Sequence, residues 1–320
     1  MHVVTDSPTP VAARGAIVAI GNFDGVHRGH QALIARASAA ARARCVPAGA
    51  VLFEPHPREF FRPDEPQFRL APLPEKLRIL EGLGLDMVRV LTFDETLSHM
   101  SAEAFVADVL VGDLAISGAV VGYDFFFGHK RAGTPQRLSE LGAAHGFAVD
   151  IVAPIAEDGA VFSSSALRLQ LAAGDIRAAN LAMGRNWRVT GTVVGGAKRG
   201  TGMGYPTANV PMPKGTALAH GIFAVRLAIL DGGTGGAGAT ATPIEWHDGA
   251  AYLGTRPTFD DGKPVLEVFV LDFDGDLYGR TIAVEFVDYI RPDRKFESVE
   301  ALVAQMDRDV AAVRRVLGAA

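Results

Sequence analysis

Residues 16–44 read AIVAI, then GNFDGVHRGH, then QALIARASAAARAR. The first run, Ala16 to Ile20, is continuously apolar, as a parallel strand buried on both faces must be. The last run, residues 31–44, reads as a helix. Between them, three glycines and two histidines stand where a strand hands over to a helix. His27 and His30 fall at i and i+3, which puts both imidazoles on one face at the helix start. A helix N-terminus offers free N–H groups and a positive dipole end, so anions dock there. Imidazole donors beside such a site suit charge that develops on a phosphoryl oxygen. Gly21, Gly25 and Gly29 would let the backbone approach a nucleotide closely, although an incidental capping region is the plainer alternative.

The same alternation continues outward. Apolar runs AGAVLF, MVRVLTF, GAVVG and AVDIVAP are separated by helical stretches at Glu75–Gly82, Ser101–Leu110 and Pro135–His145. The pattern predicts a Rossmann-like α/β domain, a parallel sheet with helices on both faces and its ligand at the carboxyl ends of the strands. A helical stretch from about Ser164 to Met183 follows. Beyond it the texture becomes β-rich, with RVTGTVV, IFAVRLAIL, AAYLG, VLEVFVLDF and TIAVEFVDYI punctuated by glycine and proline. That favours an antiparallel sheet or barrel, closed by a helix from about Ser298 to Val316. Residues 231–243 read as a low-complexity loop. The change in texture places a domain boundary near 184, giving domains 1–184 and 185–320.

At 320 residues, two domains of ordinary size fit the length. A net charge of −5 opposes a nucleic-acid binder that works by bulk electrostatics. The single cysteine, Cys45, excludes an internal disulfide framework and suits a reducing compartment. The first 15 residues lack the apolar core of a signal peptide, and no run reaches the ~18 apolar residues of a membrane span. A cytoplasmic protein acting on small molecules is the expectation, with no nucleic-acid or membrane partner.

Three further stretches belong with the histidines. GYDFFFGHKRAG (122–133) follows a strand end and carries Asp124. SSSALR (163–168) sets three hydroxyls at a helix start with Arg168 on the first turn, and FEPHP (53–57) holds His56 between prolines. Simple caps and turns are the alternative for each.

In the second half, GGAKRGTGMGYPTANV (195–210) is a glycine-rich loop followed by Pro206, Thr207 and Asn209. Such glycines permit backbone N–H groups to turn inward on phosphates. The Thr207 hydroxyl and Asn209 carbonyl are hard oxygen ligands suited to Mg²⁺. Walker A spacing is missing. In PVLEVFVLDFDGDLYG (264–279), Val265, Glu267, Phe269 and Leu271 alternate onto one face, which leaves Glu267 a lone charge among apolar neighbours. A buried carboxylate must be paired or driven towards its neutral form. A carboxylate so perturbed and facing a hydroxyl is a general base, while a salt bridge to an arginine is the structural alternative.

GNFDGVHRGHQALI is similar to the H-x-G-H motif of the nucleotidylyl transferase superfamily. With FEPHP, GYDFFFG and SSSALR in this order, the first half resembles the FAD synthetase module of bacterial bifunctional riboflavin kinase/FAD synthetases. Relatives usually carry a basic residue where this chain has Val161. GYPTANV, GTRPTF, LEVFVLDFDGDLYG and RPDRKFESVEALVAQMDRD resemble the riboflavin kinase module of the same family, and many relatives have histidine or tyrosine in place of Phe269.

The resemblance implies a six-stranded antiparallel barrel, with Thr207 and Asn209 at Mg²⁺-ATP and Glu267 as the base. It also implies His27 and His30 as catalytic groups of adenylyl transfer, with Gly21, Phe23, Asp24, Gly29, Asp124, Ser163, Ser164, Ser165 and Arg168 at the nucleotide. On the kinase side it implies Gly196, Lys198, Gly200, Gly204 and Pro206 at the nucleotide. Riboflavin, FMN and ATP would be the small molecules handled, and FAD the final product. A flavin-binding regulator that keeps one of the two activities is an alternative. So is an RNA-linked protein similar to class I aminoacyl-tRNA synthetases, which also use H-x-G-H, although the acidic charge and the lack of a K-M-S-K-S-like loop oppose it.

Overall fold

The computed structural model describes residues 1–5, 8–65, 67–157, 159–195, 205–213, 215–230, 245–255 and 264–318. Gly196, Lys198, Gly200 and Gly204, the 231–243 loop and most of GTRPTF therefore lie outside the described residues. Two compact units, Met1–Ser164 and Ser165–Ala320, make up the chain.

In the first unit the elements run β1 (His2–Val4), β2 (Ile17–Ile20), α1 (Arg28–Arg44), β3 (Ala48–Glu54), α2 (Pro57–Phe61), α3 (Leu73–Gly82) and β4 (Met87–Thr92). Then come α4 (Glu95–His99), α5 (Ala102–Ala104), β5 (Gly118–Gly122), α6 (Pro135–His145), β6 (Ala148–Val152) and a small hairpin, β7 (Ala156–Glu157) with β8 (Ala160–Val161). The stretch that reads as one helix from Ser101 is α5 running into a π-helix at Phe105–Asp113. Six strands pair in parallel in the order β1-β4-β3-β2-β5-β6.

Every residue of β2 is buried, and the strand feeds two cores. Val18 and Ile20 pack on one face with Phe53, Phe105 and Leu110, while Ile17 and Ala19 pack on the other with Ile34, Leu52 and Leu80. Period-two alternation between two apolar layers is why AIVAI carries no polar residue. After β2 the chain builds outward through β3 and β4, then crosses to β5 on the other side. The gap between the carboxyl ends of β2 and β5 is thus the topological switch point, where such sheets leave a crevice.

The second unit holds most of α7 (Ser164–Ala173), then α8 (Ile176–Met183), β9 (Trp187–Thr192), β10 (Ala208–Pro211), β11 (Gly221–Ile229), β12 (Trp246–Thr255), β13 (Pro264–Val270), β14 (Thr281–Pro292) and α9 (Val299–Gly318). Its strands pair antiparallel in the order β10-β13-β12-β11-β14-β9. Val194 N–H donates to the Asn209 carbonyl at 2.9 Å, which joins the two ends of that order into a barrel. Phe223, Leu253, Leu266, Val268, Ile282 and Phe286 are fully buried.

Helix α9 lays Val313 and Leu317 on Ala224 and Leu271. Its buried Asp309 receives the Arg291 fork, Nε at 2.9 Å and Nη2 at 2.6 Å. The compositional change lies near 184, whereas the compact units divide at Ser164/Ser165 because α8 packs on this barrel. Asn180 on α8 donates to the Phe286 carbonyl at 2.8 Å and accepts from Trp187 N–H at 2.8 Å.

Candidate active sites

The turn between β2 and α1 is held in costly backbone geometry. Phe23 and Val26 have φ of +48° and +41°, both fully buried, on either side of Asp24 and Gly25. A β-branched residue in the left-handed region is a true outlier, and such strain of roughly 1–3 kcal/mol per residue persists only where neighbours over-determine it. The result is that α1 starts with His27 as its cap. His27 Nδ1 accepts the His30 N–H at 3.3 Å, so its proton, when the ring is neutral, sits on Nε2. The two imidazoles stack with centroids 3.7 Å apart, and the edge of Phe23 meets His30 at 5.1 Å. His27 is buried and His30 half-buried.

Gly29 makes room for this stack. A Cβ there would come 3.0 Å from His27 Nδ1, 3.1 Å from Cε1 and 3.4 Å from the Phe162 carbonyl. Gly29→Ala is expected to push the His27 ring aside by a few tenths of an ångström while adding helix propensity. The rate of the chemistry carried at this turn should fall on the order of tenfold with little loss of thermal stability, because small misplacements of reacting geometry are expensive. Steady-state rates alongside a melting curve check this; an unchanged rate would mean the stacked geometry is unimportant.

Asp24 has its side chain committed. The carboxylate accepts from Leu70 N–H at 3.3 Å and Ala71 N–H at 3.1 Å, and its backbone carbonyl accepts from Ser164 Oγ at 2.8 Å. The serine motif is thus fastened to the histidine turn. Ser163 and Ser164 are half-buried in the first unit, while Ser165 and Arg168 continue α7 into the second. Gly21 closes β2 with its N–H on the Val51 carbonyl at 3.1 Å. Across the switch point, Asp124 stands exposed just after β5, and its Oδ1 folds to 3.0 Å from where a Cβ on Gly122 would be. His56 caps α2, with Nδ1 accepting from Arg58 N–H at 3.1 Å. Val161 is 44% exposed on β8, and Arg28 reaches Glu157 on the paired strand at 2.6 Å.

In the barrel, Asn209 on β10 and Glu267 on β13 are directly opposed, and Tyr252 on β12 lies on the other side of Glu267. Thr207 Oγ1 donates to Glu267 Oε2 at 3.5 Å, and Asn209 Nδ2 donates to the Thr207 carbonyl at 3.3 Å. Glu267 is half-buried rather than enclosed: Leu266, Val268 and Val270 fill the core, and the alternate positions Val265, Glu267 and Phe269 are partly open. Asn209 is 5% exposed, and its Oδ1 is buried with no hydrogen-bond partner among the described residues. An orphaned buried carbonyl beside a threonine hydroxyl and a carboxylate fits a hard divalent cation. Pro206 is exposed at the entrance to β10.

Tyr205 and Tyr252 went unnoticed in the sequence. Tyr205 donates to Asp307 on α9 and meets the Phe269 edge at 5.0 Å; burial first, then the Asp307 carboxylate, pushes its phenol up to about 12. Tyr252 Oη donates to Asp293 at 3.1 Å. Only strand register, which a single sequence does not display, puts Tyr252 beside Glu267.

A parallel α/β unit with an H-x-G-H turn at its switch point, joined to an antiparallel barrel, is the architecture of a two-module nucleotide-using transferase. Residues 9–166 match the FAD synthetase family and residues 183–317 the riboflavin kinase family. The bifunctional riboflavin kinase/FMN adenylyltransferase of Pseudomonas fluorescens is 41% identical over 94% of this chain and 93% of its own length. The enzyme of the same name from Escherichia coli K12 is 38% identical over 99% and 96%. A crystal structure described as a macrolide-efflux protein from Streptococcus pneumoniae superimposes with a TM-score of 0.83 at 28% identity, covering 98% of this chain and 99% of that one. This chain belongs to the bifunctional riboflavin kinase/FMN adenylyltransferase family, and it is a transferase with both modules in order. No helix among the described residues is long and apolar enough to cross a membrane.

Proposed function

We propose that the family's two reactions, ATP-dependent phosphorylation of riboflavin to FMN and adenylylation of FMN to FAD, are divided between residues 185–320 and 1–184. What carries this reading is the pair of separate constellations: stacked His27 and His30 at the start of α1, and Glu267 opposite Asn209 in the barrel. In the barrel, Glu267 takes the proton from the ribityl 5′-hydroxyl as that oxygen attacks the γ-phosphorus of ATP. Thr207 and Asn209 would hold Mg²⁺, and Lys198 with the glycines at 196, 200 and 204 would line the phosphates. Bound there, the metal supplies charge neutralisation for the triphosphate. Pro206, exposed at the entrance to β10, would lie at the nucleotide beside Thr207.

In the first unit, the FMN phosphate attacks the α-phosphorus of a second ATP and pyrophosphate leaves. His27 donates from Nε2, because Nδ1 is occupied by the helix cap. His30 donates beside it, and the α1 N-terminus adds its dipole. Gly21, Gly29, Asp124 and Ser163 are the residues of this unit at the nucleotide, while Phe23, Asp24 and Ser164 shape the turn. No covalent nucleophile is needed. The partners are riboflavin, FMN and ATP, without nucleic acid or membrane, and the reactions belong in the cytoplasm.

Excess EDTA should stop both FMN and FAD formation from riboflavin and ATP, and added Mg²⁺ should restore both. FMN formation that persists in EDTA would contradict the role given to Thr207 and Asn209.

A further inference from the structure

Thr207 stands just outside the ladder that holds its neighbours. The pairing of β10 with β13 begins one residue later, at Ala208 opposite Val268. Asn209 Nδ2 reaches the Thr207 carbonyl at 3.3 Å and Thr207 Oγ1 reaches Glu267 Oε2 at 3.5 Å, both longer than an ordinary hydrogen bond. Contacts this long do not by themselves fix a hydroxyl. Tyr205, two residues upstream, supplies a firmer anchor. Its phenol donates to Asp307 on α9, 102 residues away, and its ring meets Phe269 at 5.0 Å with the planes 64° apart, an edge-on geometry that aromatic pairs prefer. Phe269 shares the partly open face of β13 with Glu267, two residues away. It also packs on the cluster of Ala224, Leu271, Val313 and Leu317 that seats α9 on the barrel. One side chain thus ties the chain entering β10 both to the strand that carries Glu267 and to the last helix. With residue 205 held by Tyr205 and residue 208 by the ladder, only Pro206 and Thr207 lie between two fixed points. The phenol, pushed up to about 12 by burial and then by the Asp307 carboxylate, remains a donor throughout the neutral range, so the tether is permanent.

We propose that Tyr205 is a positioning residue for riboflavin phosphorylation: its bond to Asp307 and its contact with Phe269 hold Thr207 in place beside Glu267 and Asn209. This rests on the reading of Thr207, Asn209 and Glu267 as the kinase site. Without the tether, Thr207 is free to swing away from Glu267, and the oxygen set that suits a divalent cation opens. Helix α9 then serves the kinase reaction through Asp307 without touching a substrate.

The test compares full-length Tyr205→Phe, Asp307→Ala, Asp307→Asn and the Tyr205→Phe/Asp307→Ala double variant, with Glu267→Gln as the reference for the site. Tyr205→Phe keeps the ring contact with Phe269 and loses only the bond to Asp307. Its kcat/KM for Mg²⁺-ATP in riboflavin phosphorylation should fall on the order of tenfold, the low end of what losing a supporting group around a metal ligand costs. FMN supplied directly should still be adenylylated at the wild-type rate. Calorimetric titration with Mg²⁺-ADP should show one nucleotide site weakened by a similar factor and the other unchanged. The melting temperature should stay near wild type, because an exposed contact contributes little to stability. Asp307→Ala should match Tyr205→Phe, and the double variant should be no worse than either, since all three lack the same bond. Asp307→Asn retains an acceptor oxygen and should keep most of the activity. Wild-type phosphorylation in Tyr205→Phe, additive losses in the double variant, or a lowered melting temperature with both activities reduced would each overturn the proposal. If Glu267→Gln loses phosphorylation and Tyr205→Phe does not, only the role of Tyr205 fails. If Glu267→Gln keeps it, the site reading fails and takes this proposal with it.

Discussion

The Glu267→Gln protein is expected to phosphorylate riboflavin on the order of 10²–10⁴ more slowly than wild type, the usual cost of losing a general base. Glutamine keeps the planar group and can still accept from Thr207 Oγ1, so the row of Tyr252, residue 267 and Asn209 should stay in register. What disappears is the ability to take a proton from the ribityl hydroxyl. FMN supplied directly should still become FAD at the normal rate, because His27 and His30 belong to the other unit. Near-normal phosphorylation by the variant would make the carboxylate structural, half of an ion pair.

His30→Ala should have the mirror-image effect. The substitution removes the ring but not the backbone N–H that His27 Nδ1 accepts, so the cap of α1 survives. The stack with His27 and the edge contact with Phe23 are lost. Removing one donor from a developing oxyanion costs on the order of 10²–10³ in rate. If the donor acts only as the α-phosphorus is attacked, kcat should fall while KM changes little. FMN should then accumulate from riboflavin. A raised KM at constant kcat would instead assign His30 to ground-state binding of the nucleotide.

Much of this arrangement is legible in the residues, and the exceptions have physical causes. β2, β3 and β5 announce themselves because strands packed between helical layers must be apolar on both faces. β1, three residues long, is too short for any pattern. The start of α1 is legible in the i, i+3 spacing of the histidines, but its cap is not, because a histidine nitrogen takes the place of the usual Ser, Thr, Asp or Asn oxygen. The resemblance puts Asp24 at the nucleotide, and its oxygens also serve the backbone of Leu70 and Ala71. That partnership spans 46 residues and leaves no local trace.

Lys76 sits in PLPEKLRILEG, where a lysine on an amphipathic helix reads as solvent-facing; only its 4% exposure reveals otherwise. In β13 the period of two is correct but the enclosed face is the other one, since Leu266 and Val268 fill the core. The sequence shows that Glu267 alternates with apolar residues, but not which set the core encloses.

The central claim is that two independent constellations on two units perform successive reactions. Equal amounts of His30→Ala and Glu267→Gln protein, given riboflavin, ATP and Mg²⁺, test it by product chromatography over time. Neither protein alone should make appreciable FAD from riboflavin. Together they should make it after a lag in which FMN first accumulates, since the FMN released by one feeds the other. A mixture that makes no FAD would contradict the account and mean that both residues serve one site.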